Sequence, residues 1–222
     1  MNAASKLRRL DLSRYRHVIW DWNGTLLNDV DAAREVVNGM LRRRGLPTMS
    51  PGRYRAVFDF PIERYYAEIG FDFAVDPFAD LAREFHEAYR RAWPRCGLYA
   101  DAEETLRGIT AAGVEQSLLS ASEQAALTEH VSYHGVRERF VRIVGIADGH
   151  GGGKTAEALQ WIDELGRRTG EVLLVGDTVH DHEVAQAAGV DCALIAAGHQ
   201  ARAKLEACGG PVYDSLAELF RD

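Results

Sequence analysis

Cysteine is scarce in this chain: three in 222 residues, at positions 96, 192 and 208. An odd count without metal-type spacing argues against a disulfide framework and for a reducing compartment. Long apolar runs are missing as well. No stretch approaches the ~18 uninterrupted apolar residues of a membrane span. The segment Met1 to Arg16 mixes Lys6, Arg8, Arg9 and Asp11 and has no apolar core, so it does not read as a secretory signal. Positive charge is not in excess either. Twenty-six Lys and Arg face 33 Asp and Glu, a net charge of −7, which disfavours nucleic acid as the main partner. The basic clusters Arg8-Arg9 and Arg42-Arg43-Arg44 are short. The second reads as the solvated end of a helix, where cations complement the dipole; steering of phosphate is the other reading. These absences together lead us to expect a cytoplasmic protein without membrane or nucleic-acid partners.

What is present suits a globular protein. The chain is 46% hydrophobic and 27% charged, ordinary values for one sizeable domain or a core with a small accessory domain. Short apolar runs lie at Val18 to Trp20, Val114 to Leu119, Val141 to Ile146, Val172 to Val175 and Cys192 to Ile195. Helical patterns follow most of them. Unbroken apolar strands alternating with helices indicate a parallel sheet covered on both faces.

The gap between the first and second runs is too long for one crossover helix and reads as a helical insertion. Ala33, Val36, Val37, Met40 and Leu41 fall on one face of a helix, stopped by Gly45 and Pro47. Phe78, Leu81, Ala82, Phe85, Tyr89 and Ala92 form a second such face, ending before Pro94. Between them, Tyr54 to Ile69 is expected to form one or two shorter helices. The periodic aromatics read as packing. Phe58, Asp59, Phe60 and Pro61 break the pattern and suit a loop facing a substrate. The expected fold is thus α/β: a Rossmann-like parallel sheet core, residues 1–27 and 97–222, with an inserted all-helical cap, residues 28–96.

In open parallel sheets, ligands bind beyond the carboxyl ends of the strands. The first strand leads straight to Asp21, in Asp21-Trp22-Asn23-Gly24-Thr25-Leu26. The second ends at Ser120, followed by Ala121-Ser122. The fourth leads to Asp177, in Gly176-Asp177-Thr178-Val179-His180-Asp181, and a Gly-rich turn, Gly151-Gly152-Gly153, carries Lys154 into a helix. Converging there would be three acids, one cation and several hydroxyls. Clustered carboxylates repel unless a cation sits among them, and oxygen-only ligands fit Mg²⁺, which shares a substrate phosphate. A free carboxylate beside Mg²⁺ and Lys suits nucleophilic attack on phosphorus, giving an aspartyl phosphate.

Plainer readings stand beside these. Ser120, three residues before Glu123, has a capping-box spacing. Lys154 could be an exposed first-turn residue, and Asp181 a solvated acid favoured by a helix dipole. Gly151-Gly152-Gly153-Lys154-Thr155 ends as a nucleotide-binding P-loop should, but position 148, where that pattern needs Gly, is Asp148.

With these motifs in this order, the chain resembles the haloacid dehalogenase-like hydrolase superfamily, in particular its phosphoglycolate phosphatase-like members with a helical cap. Asp21 to Leu26 is similar to the family's D-x-D-G-T-[LV] motif, Leu118-Leu119-Ser120 to its second, Lys154 to its third, and Gly176-Asp177 with Asp181 to its fourth. The resemblance implies that Asp21 is nucleophile and metal ligand. It implies that the Asn23 carbonyl and Asp177 complete the protein's share of a Mg²⁺ shell, with Asp181 behind or bound through water. Thr25, Ser120, the Ala121 amide and Lys154 would hold the phosphate of a small phosphorylated metabolite, and residues 28–96 would close over it, in a monomer or homodimer.

One position departs from the motif: Asn23 stands where family phosphatases carry an Asp that protonates the leaving group and activates water. An amide can do neither by ordinary proton transfer, and such help is worth ~10²–10⁴-fold. The expected function is a Mg²⁺-dependent phosphatase with atypical or reduced turnover; the alternative is a weakly catalytic protein that binds a phosphorylated ligand. His180 and His199 are candidate substitutes for the missing acid.

Overall fold

A computed structural model describes residues 9–147, 153–166 and 170–220. After β1 (His17–Trp20), four helices follow: α1 (Val30–Arg43), α2 (Pro51–Val57), α3 (Ile62–Glu68) and α4 (Phe78–Ala92). The chain then runs through α5 (Ala102–Ala111), β2 (Glu115–Glu123), α6 (Gln124–Tyr133), β3 (Arg142–Ile146) and α7 (Thr155–Leu165). It ends with β4 (Val172–Gly176), α8 (Val179–Ala188), β5 (Asp191–Ile195), α9 (Arg202–Glu206) and β6 (Val212–Tyr213).

The six strands form one parallel sheet in the order β3-β2-β1-β4-β5-β6. The strand order reverses at β1, which pairs with β2 on one side and β4 on the other, Trp20 lying level with Leu118 and Val175. The crevice at such a reversal is where open α/β sheets bind ligands. Both faces are covered, which is why the strands are apolar without alternation. Val18, Trp20, Leu118 and Val175 pack on one face with α5 and α6; Ile19, Leu119 and Leu174 pack on the other with Ala158 of α7 and Val184 of α8.

Helices α1 to α4 have a core of their own, built from Val30, Val37, Met40, Leu41, Tyr54, Tyr65, Tyr66 and Leu81. The chain's two passages between module and sheet lie side by side: the Asn28 amide donates to the Gly97 carbonyl at 2.9 Å, and Leu27 bridges Leu98. The Arg cluster closes α1 as expected, with Arg42 and Arg43 exposed in its last turn, but it also carries ion pairs. Arg43 and Arg44 both pair with Glu84 of α4, and Arg44 also pairs with Asp76, at 2.8 Å. These pairs tie α1 to α4.

Several boundaries differ from the sequence reading. Strand β2 continues past Ser120 to Glu123, because its ladder with β3 breaks after Leu119 and re-forms at Glu123 opposite Ile146. Ser120 is therefore in an irregular stretch of strand and does not cap α6; the Glu123 carboxylate does, accepting from the Ala125 amide. The two-residue strand β6 has too few residues to leave an apolar pattern. No helix among the described residues is long and apolar enough to cross a membrane.

Candidate active site

The strand tips converge as the motif order demands. Asp21 follows β1, its amide donating to the Val175 carbonyl of β4 at 2.8 Å. Asp177 follows β4. Asp181 sits in the first turn of α8, where Thr178 caps the helix and Asp181 bonds back to the Thr178 amide at 2.9 Å. This capping box turns the Asp181 carboxylate inward, so it is 1% exposed rather than solvated. Carboxylate oxygens of Asp21, Asp177 and Asp181 lie within 4.8 Å of one another.

Lys154 is buried among them, 2% exposed, which excludes a surface role. Its ammonium contacts Asp21 Oδ1, lies 2.7 Å from Asp181 Oδ1, and donates to the Leu119 carbonyl at 2.9 Å. Residues 148–152, and with them Asp148, Gly151 and Gly152 of the P-loop comparison, lie outside the described residues. Burial pushes the Asp21 carboxyl up, Lys154 pulls it down and Asp181 pushes it up again; the net direction is upward. Asp177 is raised by burial against the pull of His199, with Asp21 and Asp181 adding to the rise. Burial pushes Asp181 up as well, but the charge and hydrogen bond of Lys154, with the Thr178 hydroxyl and His180, together bring it below its usual value. Three buried acids with one resident cation leave unneutralised charge, and their all-oxygen donor set fits Mg²⁺.

Asp177 is gripped from two sides. Gly24 has φ +74°, a conformation open to glycine, and a Cβ there would collide with the Asp177 carboxylate and the His199 ring. A Cβ on Gly198 would collide with the same carboxylate. The His199 amide donates to Asp177 Oδ2 at 2.6 Å. The Thr25 hydroxyl is fully buried and is spent on the acids, 3.0 Å from Asp177 Oδ1 and 3.3 Å from Asp21 Oδ2. Ser120 and Ala121 line the same pocket as Asp21 and Lys154.

The Asn23 side chain is held at both ends. Its Nδ2 donates to Asp29 Oδ2 and to the Tyr89 hydroxyl, both at 2.9 Å, while its Oδ1 accepts from the Ser122 hydroxyl at 2.8 Å. Asp29 is in turn saturated: it accepts from the Gly24 amide at 2.9 Å and from Tyr89, and pairs with His199 Nε2 at 3.2 Å. Burial opposes charge on both members of that pair, yet their attraction wins. Asp29 is held below the usual carboxylate range and His199 is pushed up to about 9. His199 Nδ1 meets the Tyr54 hydroxyl at 2.8 Å, so both ring nitrogens are engaged. His180 accepts the Lys154 amide at Nε2 and has its other nitrogen 3.7 Å from Glu183.

Sequence reasoning missed Asp29, Tyr89 and Ser122. An acid just before α1 reads as a helix cap, although its side chain makes no cap bond, and Tyr89 sits on the periodic face of α4. The loop Phe58 to Pro61 does face the site, with Phe58 and Phe60 on the pocket wall.

Comparison with known proteins agrees with this geometry. Residues 18–195 match the family model described as haloacid dehalogenase-like hydrolase. A phosphoglycolate phosphatase of Vibrio parahaemolyticus is 26% identical over 214 residues, 91% of this chain and 93% of that protein. A Mycobacterium tuberculosis protein named tyrosine-protein kinase PtkA is 26% identical over 194 residues; the match spans 82% of this chain and 62% of that longer protein. The structure of a haloacid dehalogenase-like family hydrolase from Streptococcus pneumoniae shares the fold at TM-score 0.80 and 14% identity, over 93% of this chain and 97% of that one. The chain belongs to the haloacid dehalogenase-like hydrolase family and is an enzyme of its phosphatase-like kind.

Proposed function

We propose that this protein is a Mg²⁺-dependent phosphatase that cleaves a small-molecule phosphate monoester through a phosphorylated Asp21. The observation that carries the reading is the buried set Asp21, Lys154, Asp177 and Asp181 at the reversal point of the sheet. Asp21 attacks phosphorus, and its carboxylate oxygen displaces the ester oxygen, which leaves with the bonding electrons. Lys154 neutralises the approaching anions and holds a phosphoryl oxygen. Ser120 and the Ala121 amide bind the remaining oxygens, and Thr25 orients Asp21 and Asp177 rather than touching substrate. Asp21, Asp177, Asp181 and the Asn23 carbonyl are the residues that would hold Mg²⁺, which when bound supplies charge compensation for the phosphoryl group. Residues 28–96 act as the cap that excludes water and selects the leaving group.

The second half-reaction, water attack on phosphorus to free Asp21, lacks its usual base because Asn23 carries an amide in place of a carboxylate, and that amide is held by Asp29, Tyr89 and Ser122. This favours slow turnover, and it keeps a weakly catalytic phosphate-binding role as the second reading. Phosphate release from a panel of small esters, with and without Mg²⁺, tests the proposal. Turnover dependent on Mg²⁺ supports it. No release by wild type and none gained in Asn23→Asp overturns it.

A further inference from the structure

Between the helical module and the strand tips lies a cavity of about 450 Å³, inside the size range of small-molecule sites. Its floor is the acidic site; its walls are aromatic. Phe58 and Phe60 come from the loop before α3, Tyr66 from α3, Phe85 and Tyr89 from α4, and Trp93 from the segment after α4. Phe85 and Tyr89 are stacked, 12° from parallel with centroids 5.5 Å apart. Phe60 lies at 4.9 Å over the His180 ring, beside the Lys154 amide.

Outside the acidic floor, the wall's formally charged residues, Arg83, Arg90, Glu123 and Glu129, are all exposed. Among the described residues, Lys154 is paired with Asp21 and Asp181, and His199 with Asp29. His130 stacks on Trp93 at 3.9 Å, and burial holds its imidazole down to about 4, so it is neutral at pH 7. Arg83 and Arg90 of α4 are exposed at the rim. Among the described residues a leaving group carrying its own carboxylate, such as glycolate, would find no free buried cation, only the exposed Arg83 and Arg90.

Among the described residues the acid needed to protonate a leaving oxygen is missing from position 23, His180 Nε2 is taken up by the Lys154 amide, and His86, Glu123 and Glu129, which also line the cavity, are exposed. Asn23 carries no transferable proton, Ser122 and Tyr89 donate to Asn23 and Asp29, and both His199 nitrogens are engaged. An aliphatic alkoxide is about as basic as hydroxide, whose conjugate acid has a pKa of about 15.7, and leaves badly without a proton. A phenoxide, with a conjugate acid near pKa 10, leaves without one.

We infer that the substrates are aryl phosphates, whose phenolic leaving group stacks in the aromatic cavity beneath the cap and departs without protein-supplied protonation. The inference rests on the phosphatase reading above. In the first step Asp21 forms the new P–O bond, the P–O bond to the ring breaks, and the phenoxide takes its proton from solvent. In the second, water attacks phosphorus, the carboxylate of Asp21 is restored and inorganic phosphate leaves. The second step is then the slower one.

The test has two arms. The first compares phenyl and 2-naphthyl phosphate with phosphoglycolate and glycerol 3-phosphate, in wild type and Asn23→Asp. We expect wild type to favour the aryl esters by at least roughly 10²-fold in kcat/KM, the scale of the missing acid. Asn23→Asp should narrow that ratio by raising the alkyl rates. The second arm measures competitive inhibition by phenylphosphonate and methylphosphonate, which removes leaving-group reactivity from the comparison. Phenylphosphonate should bind more tightly, and Phe60→Ala should weaken it about three- to tenfold while leaving methylphosphonate within twofold. Equal inhibition of wild type by the two phosphonates, or alkyl esters cleaved as fast as aryl, overturns the inference and leaves the phosphatase reading standing. No phosphate release from any ester by either protein overturns the phosphatase reading itself.

Discussion

The two walls of the active site are built on opposite principles. On the sheet side, polar side chains are fixed by other polar groups: Lys154 by Asp21 and Asp181, Asp177 by Thr25 and the His199 amide, Asp181 by Thr178. On the cap side, rings pack on rings and little charge enters. A buried polar network is stable only when every member has its partner, so the sheet side tolerates little change. An aromatic wall accepts substitution at a modest cost in contact area. On the proposed mechanism the chemistry of the reaction belongs to the rigid wall and the choice of leaving group to the adaptable one.

The largest expected effect breaks the polar wall at its centre. Asp21→Asn should lower turnover on the order of 10⁴–10⁶-fold, as loss of a catalytic-triad residue does elsewhere, with an unchanged circular dichroism spectrum. Activity near the wild-type rate would remove Asp21 as nucleophile. Lys154→Met comes next. Loss of a preorganised donor should lower kcat about 10²–10³-fold. It also leaves two buried acids without their cation, a loss of about 3–5 kcal/mol in stability. Mg²⁺ should recover part of that stability, so melting curves with and without Mg²⁺ should diverge further for the variant than for wild type. Curves that shift equally would show that the metal does not share the acids with Lys154.

Behind the other wall, Leu81→Ala removes a fully buried side chain of the module's core and should destabilise it by about 2–5 kcal/mol. Because Leu81 belongs to the helices and not to the strand tips, Mg²⁺ affinity by calorimetry should stay within twofold. A parallel loss of both would show that the walls are one cooperative unit. The smallest effect concerns their junction, where His130 of α6 stacks on Trp93. Burial holds its native pKa down to about 4, below the ~6.5 of an unfolded His. The unfolded chain therefore binds more protons between these values, and stability rises with pH across that window. This contribution is complete above about pH 6.5 and is lost as pH falls towards 4. His130→Phe should flatten the acid slope, by no more than about 3 kcal/mol in total. An unaltered slope in urea melts at pH 4.5 and 7 would assign the acid sensitivity elsewhere.

The same contrast explains how much was legible in the sequence. Buried parallel strands are contiguous apolar runs, so β1 and β4 announced themselves, and a carboxylate directly after such a run is conspicuous. Asp21 and Asp177 could thus be found by reading along the chain. The clamp on Asn23 could not, since it joins residues 23 and 29 of one loop to residues 89 and 122 of two distant segments. Its most informative member, Asp29, looks like a helix cap. Tyr89 was read as packing because spacing cannot tell a ring that fills a core from one that lines a cavity. Both kinds occur on α4, where Leu81 is fully buried and Tyr89 reaches the pocket. The clamp also gives Asn23 a physical reason: a second carboxylate there would face Asp29, and like charges at that distance do not both ionise. In Asn23→Asp the pair would hold a shared proton, which is what a general acid requires.

The most direct test is to acid-quench the enzyme during turnover of phenyl phosphate with Mg²⁺ and locate any bound phosphate by mass spectrometry. The account predicts a phosphorylated Asp21 in most wild-type chains, because breakdown is the slow step, with less in Asn23→Asp and none in Asp21→Asn. Turnover with no phosphate on Asp21, or phosphorylation that persists in Asp21→Asn, would contradict it.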